Sequence, residues 1–145
     1  MIKFYKSTPP YGYLNNFYPA KMYIYNQYWD NVEAAYQSQK TLNQAEKNKI
    51  WACSSPKEAR AMGNLVALRP DWEDVRISVM TECVLAKFFQ HPDLQKKLLE
   101  TGDQEIVEDS PVDTFWGSGP KEDGENHLGK ILMKVRDMLR TLNQE

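Results

Sequence analysis

The spacing of apolar and polar positions changes near residue 30. Before it, short tyrosine-rich runs read as strands: Ile2-Lys3-Phe4-Tyr5, then Met22-Tyr23-Ile24-Tyr25, a turn at Asn26-Gln27, and Tyr28-Trp29. The stretch from Pro9 to Pro19, broken by prolines and asparagines, reads as a loop between them. Together the runs predict one small N-terminal sheet. Beyond them the signals are helical. Asp30 with Glu33 three residues on has the form of a capping box, which predicts a helix running to about Leu42. Ser55, Pro56 at the first helical position, Glu58 and a terminal Gly63 frame a second helix more sharply.

Pro70-Asp71-Trp72 opens the longest helix, which should end near Gln90 ahead of His91-Pro92. On its wheel Val75, Val79, Ala86 and Phe89 fall on one side and Ile77, Val84 and Phe88 on the other, the pattern of a helix wrapped by the rest of the fold. Leu94, Leu98 and Leu99 mark a short helix stopped at Thr101-Gly102, and Glu105 to Glu108 reads as one more strand. A loop follows from Asp109 to about Gly124. In the last helix Leu128, Ile131, Leu132, Val135, Met138, Leu139 and Leu142 keep the spacing of one buried face. No repeat or linker interrupts residues 1–145, so the expectation is one α+β domain, predominantly helical, with the Trp72 to Gln90 helix central and a small N-terminal sheet.

A chain of 145 residues is long enough for a real core, and 41% hydrophobic with 26% charged residues is ordinary globular composition. Eighteen basic against twenty acidic residues give a net charge of −2, which excludes a general electrostatic partnership with nucleic acid. Apolar runs such as Val84-Leu85-Ala86 are far too short to span a membrane, and the N-terminus lacks the apolar segment of a signal peptide. The expected location is the cytoplasm. Cys53 and Cys83 have no metal-ligand spacing, with only His91 and His127 to join them, so both thiols read as small core residues. Both histidines sit at helix boundaries, and thiol catalysis has no base to support it.

Two segments concentrate chemistry. Gly117-Ser118-Gly119 lacks the third glycine of a dinucleotide loop, having Glu122 there and Pro120 where a helix should open. Its neighbour, Ser110 to Gly117, nevertheless carries Asp113, Phe115 and Trp116 in a surface loop, where they either bind something or pack beneath it. The other segment runs from Asp30 to Lys40. Glu33, Tyr36, Gln37 and Lys40 recur at helical spacing, placing a carboxylate, a phenol, an amide and an amine on one stripe. Such a stripe is either a solvated face or, with only Ala34 and Ala35 as alternative packing, the lining of a cavity.

The ordered series LNNFYP at 14 to 19, VEAAYQSQK at 32 to 40, RPDWEDV at 69 to 75, VLAKF at 84 to 88, SPVDTFWGSG at 110 to 119 and ENHLGKILMKVR at 125 to 136 resembles the NADAR/YbiA-like family. Around the first helix the family pattern is close to S-x-E-H-x-Y-Q-A-x-K. This chain keeps Glu33, Tyr36, Gln37 and Lys40, has Asn31 for the serine and Ala34 for the histidine, and carries Asn15 where LSNF is common.

The resemblance implies an N-glycosidase acting at C1 of a ribose phosphate or ADP-ribose. Its substrate would be a phosphoribosylamino-pyrimidine of riboflavin synthesis or ADP-ribosylated guanine in nucleic acid. It assigns catalysis to Lys40, Glu33 and Asp113. Lys40 would attack C1 as a Schiff-base nucleophile if burial or a nearby cation lowers its pKa, and Glu33 would shuttle protons. Asp113 would hold ribose hydroxyls or the leaving base. Binding roles fall to Asn16 on the base edge, Phe17 or Trp116 as stacking rings, and Arg69 or Lys87 on phosphate. On the wheel Lys87 lies between Met80 and Cys83, either partly buried and paired or snorkelling. Tyr36, Gln37, Trp72, Gly117 and Asn126 are the remaining motif positions expected to touch substrate. The scheme needs no metal and no cofactor. A rival of another class is a module that binds ADP-ribose or an NAD-type ligand without cleaving it.

Overall fold

Four short strands and six helices make up the fold, described for residues 1–144 in a computed structural model. The strands are β1 (Ile2–Phe4), β2 (Met22–Ile24), β3 (Gln27–Trp29) and β4 (Ile106–Glu108); the helices are α1 (Val32–Ser38), α2 (Gln44–Trp51), α3 (Pro56–Gly63), α4 (Trp72–Gln90), α5 (Pro92–Glu100) and α6 (His127–Leu142). It is a predominantly helical α+β fold. Contacts gather into two compact units, one formed by Met1–Tyr18 with the chain from Phe88 onward, the other by Pro19–Lys87.

In the first unit β1 pairs in parallel with β4, Ile2 opposite Ile106 and Phe4 opposite Glu108. The N-terminal strands therefore do not form one sheet, as the local pattern suggested, because the apolar positions of β1 find their match a hundred residues away. Helix α6 packs on this pair. Leu128, Ile131, Leu132, Val135 and Leu139 are buried, while Met138 and Leu142, expected on the same face, are exposed towards the helix end. Arg136 is buried with them and donates to the Thr101 hydroxyl (3.0 Å) and the Gln104 carbonyl (2.8 Å), which satisfies part of a charge that is costly to bury alone. The start of α6 is fixed by Asn126. Its amide donates to Ile106 O (3.0 Å) and accepts from Glu108 N (2.9 Å), and its backbone is left-handed at φ 51°. At Gly129 a Cβ would collide with the Ile106 carbonyl, so glycine permits α6 to lie this close to β4.

In the second unit β2 and β3 form an antiparallel hairpin with Met22 opposite Trp29. Its turn is Tyr25-Asn26, one residue earlier than expected, and both residues have positive φ (56° and 66°) as a tight two-residue hairpin requires. Helix α1 is shorter than the pattern predicts and is capped differently. Asn31, not Asp30, is the cap: its Oδ1 accepts from Ala34 N (2.8 Å), so Glu33 is not the third position of an Asp30 capping box. The helix ends at Ser38, with Gln39 as its C-cap, rather than near Leu42. Every residue of α1 is buried, which excludes the solvated-face reading of its polar stripe. Helix α3 begins as expected, Ser55 Oγ accepting from Glu58 N (3.1 Å), although Glu58 returns its bonds to Ser54 rather than Ser55.

Helix α4 has one buried face, not two. Trp72, Val79, Met80, Cys83, Val84, Lys87 and Phe88 are buried, whereas Ile77 and Phe89 are exposed. Lys87 neither snorkels nor is partly covered: it is 1% exposed, and burial pushes its amine down to about 7. Cys83 lies in the core as expected, beside the Tyr25 hydroxyl at 3.7 Å, its thiol pushed up to about 12 by burial. Cys53, expected in the core, is only half-buried and borders a cavity. Among the described residues no helix is long and apolar enough to cross a membrane.

Candidate active site

The cap at Asn31 sets the phase of α1 and turns Glu33 inward, where it is 3% exposed. A carboxylate this deep needs partners, and among the described residues it has two. Gln37, one turn on, donates from Nε2 at 2.8 Å, and Arg60 of α3 donates from Nε at 3.0 Å. Both bonds end on Glu33 Oε1; among the described residues none ends on Oε2. Helix α3 can lie against α1 because its facing residues are small: Ala59 is fully buried, and a Cβ on Gly63 would collide with the Gln37 amide oxygen. That oxygen is buried without a hydrogen-bond partner among the described residues.

Lys40 stands just past the end of α1, its N–H bonded to Gln37 O at 3.1 Å, so the stripe turns from helix into a tight bend at its lysine end. The bend is held from two sides. Arg69 N–H donates to Lys40 O (2.8 Å) and Arg69 Nη1 to Gln39 O (3.4 Å). The fully buried Thr41 donates its hydroxyl to Glu46 Oε1 (2.6 Å), and the same carboxylate accepts from Ala67 N (3.0 Å to Oε2). Lys40 is half-buried. Burial lowers its pKa, the negative charge of Glu33 opposes that shift, and the positive charge of Arg60 adds to it. A lysine amine in this environment loses its proton more readily than one in water, the condition for a nitrogen nucleophile.

Four other expected contacts lie in the same unit. Tyr36 and Trp72 pack ring to ring at 5.2 Å and are both buried. Arg69 is engaged by Asp71 in a two-pronged ion pair, Nε to Oδ1 at 2.6 Å and Nη2 to Oδ2 at 3.0 Å, as well as by Gln39. Its guanidinium thus anchors the Lys40 bend. Lys87 is buried in α4.

The first unit holds the rest. Asp113 Oδ1 accepts from Phe115 N (2.9 Å) and Trp116 N (2.8 Å), ordering the loop that carries both rings, and Phe115 stacks tilted against His127 at 4.4 Å. Gly117 passes so close to Glu108 that a side chain would strike its carboxylate. Asn126 has both ends of its amide on β4. Asn16 and Phe17 follow Asn15, whose side chain donates to Tyr5 O and accepts from Phe17 N (2.7 Å).

Sequence reasoning missed two groups. Arg60 lies 27 residues from Glu33, and its only trace was the small pair Ala59 and Gly63 flanking it at helical spacing, the mark of a close helix approach. Glu46 belongs to a helix in which only Ile50 is buried. Nothing in its pattern indicated it.

Residues 3–140 match the model of the NADAR domain. The chain is 44% identical over 146 residues to the N-glycosidase Npun_R5314 of Nostoc punctiforme, covering 97% of this chain and 94% of that protein. It is 36% identical over 141 residues to the N-glycosidase YbiA of Escherichia coli, covering 96% and 88%. The riboflavin biosynthesis protein VVA0006 of Vibrio vulnificus is 37% identical, with 96% of this chain matched to 38% of that longer protein. The NMR structure of Escherichia coli YbiA superposes with a TM-score of 0.92 over 99% of this chain and 87% of that one, at 35% identity. By sequence and by fold, the chain belongs to the NADAR domain family.

Proposed function

We propose that this chain is an N-glycosidase that hydrolyses the bond between C1 of a ribose phosphate or ADP-ribose and the amino nitrogen of a base. One observation carries the reading: a half-buried amine with a lowered pKa, Lys40, shares a site with a buried carboxylate, Glu33, to which it is electrostatically coupled. The names of its N-glycosidase relatives support the same reaction class. The relative named for riboflavin biosynthesis supports phosphoribosylamino-pyrimidines as one substrate; ADP-ribosylated guanine is the other substrate the family resemblance implies.

The chemistry runs on water alone. The lone pair of the linking nitrogen opens the ribose: the C1–ring oxygen bond breaks, C1 becomes doubly bonded to nitrogen as an iminium, and the freed oxygen takes a proton from solvent, which is returned when the Schiff base is hydrolysed. Unprotonated Lys40 Nζ then adds to C1. A proton leaves Nζ, is carried by Glu33 Oε2 to the base nitrogen, and the C1–base bond breaks with its electron pair going to the base. Lys40 is left as a Schiff base on C1. Water adds there, Nζ departs, and the released aldehyde closes to the free sugar. Arg60 and Gln37 hold Glu33 through Oε1, which keeps Oε2 for this transfer.

The test is a panel of a phosphoribosylamino-pyrimidine and ADP-ribosylated guanosine incubated with the protein and read by mass spectrometry. Release of free base from either, lost in Lys40→Ala with binding retained, is the expected result. Tight binding of both without release would instead make the chain a ligand-binding module.

A further inference from the structure

A separate cavity of about 310 Å³ opens in the second unit among the hairpin, the start of α1 and the α2–α3 connection. Neither Glu33, Gln37, Lys40 nor Arg60 lines it. Its rim carries two large rings that the fold leaves uncovered, Trp51 and Tyr28, each 57% exposed. Trp51 is not loose. Its indole N–H donates to Tyr28 O at 2.9 Å, tying α2 to β3, and the Tyr28 ring is braced edge-on by Tyr23 at 5.1 Å. Trp51, fixed in this way and exposed, forms a ready platform for a planar ligand beside the Tyr28 ring, at little cost in side-chain ordering.

The polar groups around the platform narrow the ligand. Asp30, freed from the capping role that Asn31 takes, lines the cavity with an exposed carboxylate that makes no hydrogen bond among the described residues. It offers acceptors. Asn31 commits Oδ1 to the α1 cap, which leaves its NH2 as the group it offers. Lys21 brings an ammonium 5.2 Å from the Tyr28 ring centre. A carboxylate beside a stacking platform matches a base edge with adjacent ring N–H and amino donors, and the lysine matches a phosphate. The volume is at the small end for ligand pockets and suits one nucleotide rather than two.

We propose that this cavity is a second binding site, specific for a guanine nucleotide, in which Trp51 and Tyr28 stack the base, Asp30 accepts from its N–H and amino groups, and Lys21 meets the phosphate. The site does not depend on the hydrolytic reading. Titration of the intact protein with GMP, AMP and guanosine by calorimetry tests it. GMP should bind more tightly than AMP, and Trp51→Ala should weaken GMP by about tenfold or more, the usual loss for one stacked base. Trp51→Phe should recover most of that affinity, guarding against a folding defect in the alanine variant. Asp30→Asn should erase the preference for GMP over AMP, Lys21→Ala should weaken GMP but not guanosine, and Lys40→Ala should leave all three unchanged. Absence of GMP binding at millimolar concentration, or binding that survives Trp51→Ala but is lost in Lys40→Ala, would overturn the proposal.

Discussion

In the proposed reaction Glu33 and Lys40 work as a pair whose balance is set by a third residue. Arg60 neutralises Glu33 and also depresses Lys40, so its removal acts on both. In Arg60→Ala one influence that lowers the Lys40 pKa is gone, the pKa rises, and the acid limb of the pH profile of kcat/KM moves to higher pH. Glu33→Gln removes the influence that raises it, so that limb moves to lower pH while the rate falls for want of a proton carrier. Opposite displacements of the two variants are the expected outcome of pH-rate profiles. At this scale the sequence was legible for Glu33 and Gln37, which helical spacing brings together, while Lys40 follows them just past the helix end. It was silent on Arg60, because an ion pair between helices leaves no local pattern, and Arg69, read as a phosphate ligand, is bound to Asp71 and to the Lys40 bend.

Among elements, the junction of α1 with α3 governs how firmly Glu33 is held. Gly63 is the contact that permits it, although its place near a helix end suggested only a stop signal. Gly63→Ala should gain about 1 kcal/mol or less of helix propensity, yet its methyl group must displace the Gln37 amide from Glu33. We expect kcat to fall about tenfold, the equivalent of roughly one lost hydrogen bond to a charged group, with little change in melting temperature. Kinetics and thermal melts on the one variant separate the two effects. The boundaries of α3, α4 and α5 were readable because proline, glycine and capping residues mark them, and α6 was readable from the helical recurrence of its apolar positions. Helix α2 was not, since only Ile50 of its eight residues is buried and no apolar stripe exists to be seen. The end of α1 was misplaced for a related reason: the polar stripe continues to Lys40, but the backbone leaves the helix at Ser38.

Over the whole molecule the long-range pairings were the least legible. The parallel match of β1 with β4 joins segments a hundred residues apart, and strands of three residues carry too little pattern to specify a partner. Buried charge also shapes stability at this scale. Lys87, fully buried with its pKa lowered from 10.5 to about 7, binds its proton less readily folded than unfolded. The unfolded chain therefore holds more protons between those two values, and stability rises with pH across that window. Lys87→Met, similar in shape and uncharged, should raise the melting temperature most below about pH 7, with the gain shrinking towards pH 10.5; thermal melts across that range measure it. The proposed hydrolysis requires Lys40 to form a covalent bond to the sugar. Borohydride added during turnover, followed by peptide mass spectrometry, tests this most directly: a reduced sugar adduct on the Lys40 peptide of the wild-type protein, with neither adduct nor turnover in Lys40→Arg, is the predicted result, whereas near-normal turnover by Lys40→Arg, or wild-type turnover that leaves no adduct, would contradict it.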